Sequence, residues 1–95
     1  MIFVIDDLKY DTDKMELISK KCEYTYTYTM FGYEFYSDGK DIQLWRSIHG
    51  RWLLTYNRGY SIVYAKALTE KEVKNLLMKY DLDKYEELFG ELEEA

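Results

Sequence analysis

Few side chains in this chain of 95 residues could perform chemistry. His49 is the only imidazole and lies beside Gly50 in a predicted turn, where the spacing places no carboxylate next to it. Cys22 follows two lysines that could lower its pKa, yet a lone thiol is more often buried or incidental than nucleophilic. Asp11 and Asp13 lack the glycine and further acids of a calcium loop, so a turn or helix-cap role is expected. We therefore expect no enzymatic activity, no metal and no cofactor.

The clearest structural signal is a β-hairpin in the middle of the chain. Strands over 42–47 and 51–56 flank a three-residue loop in which Gly50 takes a left-handed conformation. This register places Leu44 opposite Leu54 and gathers the apolar side chains on one face. A two-residue loop would mix polar and apolar residues on both faces, so it is disfavoured.

Residue types that dominate protein interfaces surround this hairpin. Trp52 faces the predicted core, whereas Trp45 points to the opposite face, where simple exposure and contact with a partner are equally expected. Arg46, Arg51 and Arg58 could contact nucleic-acid phosphates while nearby aromatic rings stack on bases. The alternative is that the arginines are only solvated.

Tyrosine is unusually abundant, with eleven residues in the chain. Residues 24–29 alternate strictly between Tyr and Thr, so a strand would place Tyr24, Tyr26 and Tyr28 on one face. Each buried tyrosine hydroxyl needs a hydrogen-bond partner, and so many tyrosines are difficult to bury in a small core. This tyrosine ladder is predicted to be either a lid on the core or a binding patch.

Further extended segments are predicted from apolar–polar alternation and β-branched or aromatic residues. They cover residues 2–5, 15–29, 31–36 and 60–68. Gly39 is expected to take a positive φ in a turn before the central hairpin.

The order of the elements predicts an α+β fold in a single domain over residues 1–95. We expect an antiparallel sheet of three to five strands followed by two C-terminal helices packed on one face. Thr69 and Glu72 form a capping box that begins the first helix. Asp83 is expected to cap the second helix, and Gly90 to end it.

The charges are unevenly distributed. Residues 81–95 hold seven acids and one base, whereas residues 1–80 hold eleven acids and twelve bases. The acidic end is interpreted either as a solvated helix face or as a surface that mimics nucleic-acid phosphate and occupies a basic groove. The carboxylates proposed for that role, on helical spacing, are Glu86, Glu87, Glu91, Glu93 and Glu94.

Several classes of protein are excluded by composition. One cysteine cannot form an internal disulfide, and one cysteine with one histidine cannot build a four-ligand zinc site. The apolar run over residues 1–5 is too short for a signal peptide, and no stretch approaches the roughly 20 apolar residues of a membrane span. We expect a cytoplasmic protein without membrane association.

Four segments of the chain resemble a known protein family. They are 10–18, the hairpin 44–54, 68–72 and 85–94. The sequence resembles small bacterial proteins carried on plasmids, conjugative elements and prophages of Firmicutes and related bacteria. Members of that family often have a longer glycine-rich stretch after the hairpin, where this chain has only residues 57–59.

The genetic setting of that family resembles the setting of anti-defence genes. The resemblance implies an accessory protein that inhibits host CRISPR-Cas defence by stoichiometric protein binding, with a CRISPR-Cas effector as partner. One alternative is a small nucleic-acid-binding or regulatory module that uses the basic aromatic hairpin. Another is a homo-oligomeric structural protein joined through a strand edge or the tyrosine ladder. The expected state is a monomer or a homodimer.

Overall fold

The computed structural model describes residues 1–59 and 61–95. It has eight antiparallel strands and two C-terminal helices, which confirms the α+β prediction. A short 3-10 helix covers Thr12–Lys14. Asp11 caps it, as expected, and the Asp11 carboxylate accepts a hydrogen bond from the Asp13 backbone N–H. The strands are β1 (Ile2–Ile5), β2 (Leu8–Asp11), β3 (Glu16–Ser19), β4 (Thr25–Met30), β5 (Tyr33–Asp38), β6 (Lys40–Arg46), β7 (Trp52–Asn57) and β8 (Val63–Leu68). The helices are α1 (Glu70–Tyr80) and α2 (Leu82–Phe89).

The main sheet has four strands in the order β3-β6-β7-β8. Its centre is the predicted hairpin of β6 and β7, with Leu44 opposite Leu54 as expected. The Ser47 N–H donates to the Arg51 carbonyl at 2.8 Å, and Gly50 has a φ of 78°, so the predicted three-residue loop is confirmed. β1 and β2 form a separate hairpin, and so do β4 and β5.

One face of the main sheet packs against the helices. The helices contribute Val73 and Leu77, both fully buried. Leu53 points to the opposite face of β7 and is also fully buried, so both faces of this central strand are covered. The members of the core cluster are Ile18, Cys22, Tyr26, Ile42, Leu44, Trp52, Leu54, Tyr56, Val73 and Leu77.

The junction of the two helices differs from the prediction at the second cap. The capping box of Thr69 and Glu72 is confirmed, and Gly90 ends α2 with a φ of 96°. The N-cap of α2, however, is Asp81 and not Asp83, because the chain turns into the second helix one residue after the first ends. The carboxylate of Asp81 accepts hydrogen bonds from the Lys84 N–H and the buried Ser19 hydroxyl.

The expected strand over 15–29 is interrupted. β3 ends at Ser19 and β4 begins at Thr25, and the connection between them contains the buried Cys22. β8 begins at Val63; the start of the strand predicted from Tyr60 lies outside the described residues.

Gly39 has a different role from the predicted turn. It is the single residue between β5 and β6, and its φ is not in the left-handed region. A Cβ at this position would lie 3.0 Å from Ile42 Cδ1 and 3.2 Å from Tyr56 Cβ. The glycine is required because the backbone passes so close to the core.

Candidate protein-binding surface

The β4–β5 hairpin extends away from the core of an elongated molecule. The radius of gyration is 14.5 Å, against about 12 Å expected for a compact domain of this length. Along β4 the exposed fraction rises from 9% at Tyr26 through 37% at Tyr28 to 49% at Met30. It reaches 89% at Phe31, in the turn. The base of the hairpin is therefore part of the core, and its tip is in solvent.

The two faces of the hairpin differ sharply in chemistry. Tyr28 lies opposite Phe35, and Met30 lies opposite Tyr33, so the four side chains share one face with Tyr26. The other face carries the threonines of β4 together with Glu34, Tyr36 and Asp38. We define the aromatic face as the first set, Tyr26, Tyr28, Met30, Tyr33 and Phe35, together with the exposed Phe31 of the adjoining turn.

The aromatic face is large for a protein of this size. Its side chains expose about 600 Å², taking about 200 Å² for each whole aromatic or methionine side chain. The largest apolar patch on a typical soluble monomer covers about 300–600 Å² and is often functional. This surface lies at the upper end of that range.

The tyrosine ladder divides into a part packed on the core and an exposed part, and its first member, Tyr24, precedes β4. The Tyr24 ring packs on Tyr56 with centroids 4.7 Å apart, and the Tyr26 ring lies 5.8 Å from the same partner. These two tyrosines are a lid on the core. Tyr28 instead stacks on Phe35 at 5.5 Å and belongs to the exposed part of the hairpin.

Arg58 lies at the surface, against tyrosine rings at the base of the hairpin. Its guanidinium carbon lies 4.5 Å from the centroid of Tyr26 and 4.2 Å from that of Tyr64. Its Nη2 donates to the Tyr56 hydroxyl at 3.2 Å, and this hydrogen bond raises the pKa of Arg58 above its ordinary value. The guanidinium is already engaged within the fold.

The other two arginines of the basic hairpin have different surroundings. Arg46 donates to Glu16 at 3.0 Å and lies 5.6 Å above the Trp52 ring. Arg51 is exposed in the loop after β6. Arg46 and Arg58 are at opposite ends of β7, roughly 20 Å apart along the strand. A single nucleic-acid phosphate therefore could not contact both Arg46 and Arg58.

Trp45 is half-buried on the face of the main sheet opposite the core cluster. Its indole N–H donates to the Thr55 hydroxyl at 3.0 Å, which satisfies the only polar atom of the side chain. Trp52 is buried against Phe89 of α2, with ring centroids 6.1 Å apart, as its predicted core role requires.

The acidic end does not present the expected helical row of carboxylates. Glu87 pairs with Lys84 at 2.9 Å, and Glu86 accepts a hydrogen bond from the Leu92 N–H at 3.3 Å. α2 ends at Phe89, so the remaining predicted acids follow the helix as an exposed, non-helical segment. Those acids are Glu91, Glu93 and Glu94. The prediction of helical spacing was wrong for them because Gly90 terminates the helix.

The candidate chemical groups are placed apart from this surface. Cys22 is buried, and desolvation raises the pKa of its thiol, which keeps it protonated near neutral pH. His49 is exposed in the loop between β6 and β7.

Within residues 1–59 and 61–95, no three His, Cys, Asp or Glu side chains are grouped closely enough to hold a metal ion. No helix in the described part of the chain has the length and apolarity needed to cross a membrane.

The exposed members of the aromatic face beyond Tyr28 were missed by sequence reasoning. Met30 continues the ladder within β4, and Phe31 follows it in the turn, whereas Tyr33 and Phe35 join the ladder only through the pairing of β4 with β5. The sequence signal for this pairing is Gly32, a residue that favours a tight turn. Phe31 and Gly32 have φ values of 53° and 79°, the left-handed pair of a two-residue hairpin loop. Comparison of the chain with protein-family models, curated proteins and solved structures finds no match.

Proposed function

We propose that the protein acts by stoichiometric binding to another protein through the aromatic face, and that it inhibits a CRISPR-Cas effector in this way. The observation that supports the binding role is the exposed, predominantly aromatic face of a hairpin that extends into solvent. An isolated two-stranded hairpin is marginally stable in water, so a partner that covers its apolar face stabilises it.

The size and residue types of the aromatic face suit a protein interface. The roughly 600 Å² that the aromatic face exposes, tyrosine hydroxyls included, approaches the roughly 800 Å² that each partner contributes to a standard complex. Tyrosine and phenylalanine are enriched in the buried centre of interfaces, and a few such anchors carry most of the binding energy. Phe31 and Tyr33, exposed by 89% and 70%, would be those anchors.

The identity of the partner comes from the resemblance to mobile-element and prophage proteins. In that setting the partner is a CRISPR-Cas effector in the cytoplasm of the bacterial host. Such effectors bind nucleic acid through basic channels, and the exposed acids Glu91, Glu93 and Glu94 would assist long-range attraction to them. The acidic segment would thus increase the association rate, while the aromatic face provides the contact.

The proposal is tested by an interference assay in bacteria that carry different CRISPR-Cas types. Cells expressing the protein are challenged with a targeted plasmid, and plasmid survival is scored for wild type and for the double variant Phe31→Ser/Tyr33→Ser. We expect wild type to restore plasmid survival with at least one CRISPR type, and the double variant to lose that effect.

The matched control lies beside the tip on the opposite face. Thr29 and Glu34 face each other across the hairpin, and Thr29→Ser/Glu34→Gln leaves the aromatic face intact. This control should protect the plasmid as well as wild type. Failure of wild type against every CRISPR type would contradict the proposed partner. Full activity of the Phe31/Tyr33 variant would contradict the proposed surface.

A further inference from the structure

We infer that Arg58 is a positioning residue that holds the β4–β5 hairpin in a fixed orientation on the main sheet, so that the aromatic face is presented ready for binding. The structural part of this inference stands by itself. Its consequence for inhibition rests on the proposed function.

The hairpin and the main sheet are separate sheets, so ladder hydrogen bonds do not set the angle between them. The angle is set instead by the two chain connections at the hairpin base and by the side chains that pack there. Among these side chains, the rings of Tyr24 and Tyr26 pack on Tyr56 of β7. Apolar packing of this kind is non-directional.

Arg58 joins three strands of both sheets at one point. Its guanidinium lies 4.5 Å from the ring of Tyr26 in β4, 5.7 Å from that of Tyr56 in β7 and 4.2 Å from that of Tyr64 in β8. All three distances are within the roughly 6 Å over which a cation is attracted to an aromatic face. The hydrogen bond from Nη2 to the Tyr56 hydroxyl adds a directional contact.

The chemistry of this site requires arginine in particular. A planar guanidinium can stack between two rings and donate a hydrogen bond in its own plane at the same time. A lysine ammonium is a compact, strongly hydrated charge that cannot fill the flat space between Tyr26 and Tyr64. An uncharged chain of similar length would retain some packing but lose the attraction to all three rings.

Loss of Arg58 is therefore expected to act locally. The core cluster joins the main sheet, the helices and Tyr26 at the hairpin base, whereas the rest of β4 is exposed. Arg58 lies outside that cluster with its side chain at the surface. Regions with little buried apolar contact open independently of the rest of a domain. A hairpin freed at its base would sample more orientations, and each binding event would have to order it again.

The inference is tested by amide hydrogen exchange of the full chain, comparing wild type with Arg58→Met, Arg58→Lys and the control Arg51→Met. Arg51 is an exposed arginine in the loop of the other hairpin. A two-stranded hairpin that is not held on the sheet is only marginally stable, so its ladder opens more often. We therefore expect Arg58→Met, which loses two close cation–π contacts and a hydrogen bond, to speed exchange of the paired amides in β4 and β5 about tenfold, with β6 and β7 unchanged. Arg58→Lys should be intermediate, and Arg51→Met should match wild type.

Unchanged exchange in the hairpin of Arg58→Met would overturn the inference. So would a uniform acceleration over all strands, because that result would show a general contribution to stability. The interference assay separates this inference from the proposed function. If Phe31→Ser/Tyr33→Ser abolishes inhibition while Arg58→Met changes neither exchange nor inhibition, the positioning role fails and the function stands. If wild type inhibits no effector, the function fails and the exchange data still decide the role of Arg58.

Discussion

Replacement of Asp81 by alanine is expected to destabilise the protein by about 3 kcal/mol, because one carboxylate serves two structural contacts. Its Oδ2 accepts a hydrogen bond from the Ser19 hydroxyl at 2.7 Å, in a site where Asp81 is 9% and Ser19 4% exposed. Hydrogen bonds to a charged group contribute about 1.5–3 kcal/mol. Its Oδ1 accepts from the Lys84 N–H and caps α2, which contributes about 1 kcal/mol more.

The assay is thermal and urea unfolding followed by circular dichroism. A loss of about 3 kcal/mol should lower the melting temperature by about 15 °C in a domain of this size. The matched control is Asp83→Ala, which removes an exposed acid in the first turn of the same helix and should cost only about 0.5 kcal/mol through the helix dipole. Equal effects of the two substitutions, or a cost below about 1 kcal/mol for Asp81→Ala, would refute the reasoning.

Three other substitutions or treatments probe separate features of the fold. Gly39→Ala should cost about 1–3 kcal/mol in urea unfolding because its Cβ would lie 3.2 Å from Tyr56 Cβ, and an unchanged midpoint would contradict this close approach. Thr69→Ala should cost about 1 kcal/mol at pH 7. The Thr69 backbone N–H, and to a lesser extent its hydroxyl, donate to the Glu72 carboxylate and lower its pKa from 4.5. The hydroxyl bond, which Thr69→Ala removes, is present above pH 4.5 and is lost as pH falls through the lowered value, so the difference between variant and wild type should shrink there. Cys22 should react with a thiol reagent at pH 8 far more slowly in the folded protein than in urea, because burial raises its pKa; equal rates would show that the thiol is accessible.

The parts of the fold that sequence reasoning predicted correctly depend on short-range signals. The β6–β7 hairpin follows from alternation on both sides of Gly50, and only one register keeps the apolar residues on one face. The start of α1 follows from Thr69 and Glu72, three residues apart. In each case the deciding residues are neighbours in the chain, so local geometry alone selects the structure.

The parts that were missed depend on contacts between distant residues. Asp81, and not Asp83, caps α2, and its other oxygen accepts a hydrogen bond from Ser19, sixty-two residues away in the chain. Gly39 is needed because of the proximity of Tyr56, which no local pattern reveals. Tyr26 and Tyr28 share one face of β4 as predicted, whereas Tyr24 precedes the strand. Which of these tyrosines reach solvent depends on how far the hairpin extends beyond the main sheet.

The roles of the arginines also could not be predicted from the sequence alone. Arg46 and Arg58 lie near aromatic residues in sequence, a pattern that suits nucleic-acid binding as well as internal cation–π contacts. Only the packing of Tyr26 and Tyr64 around Arg58 shows that its guanidinium is already occupied.

Titration of a purified CRISPR-Cas effector tests the central claim most directly. DNA cleavage is measured against increasing amounts of wild type, Phe31→Ser/Tyr33→Ser and the charge variant Glu91→Lys/Glu93→Lys. The effector is one whose interference wild type blocks in cells. We predict complete inhibition near one molecule of wild type per effector, at least a hundredfold weaker inhibition by the hairpin variant, and a modest, salt-dependent loss for the charge variant. The account would be contradicted if the hairpin variant inhibited fully while the charge variant no longer inhibited. That result would place the binding surface at the acidic end.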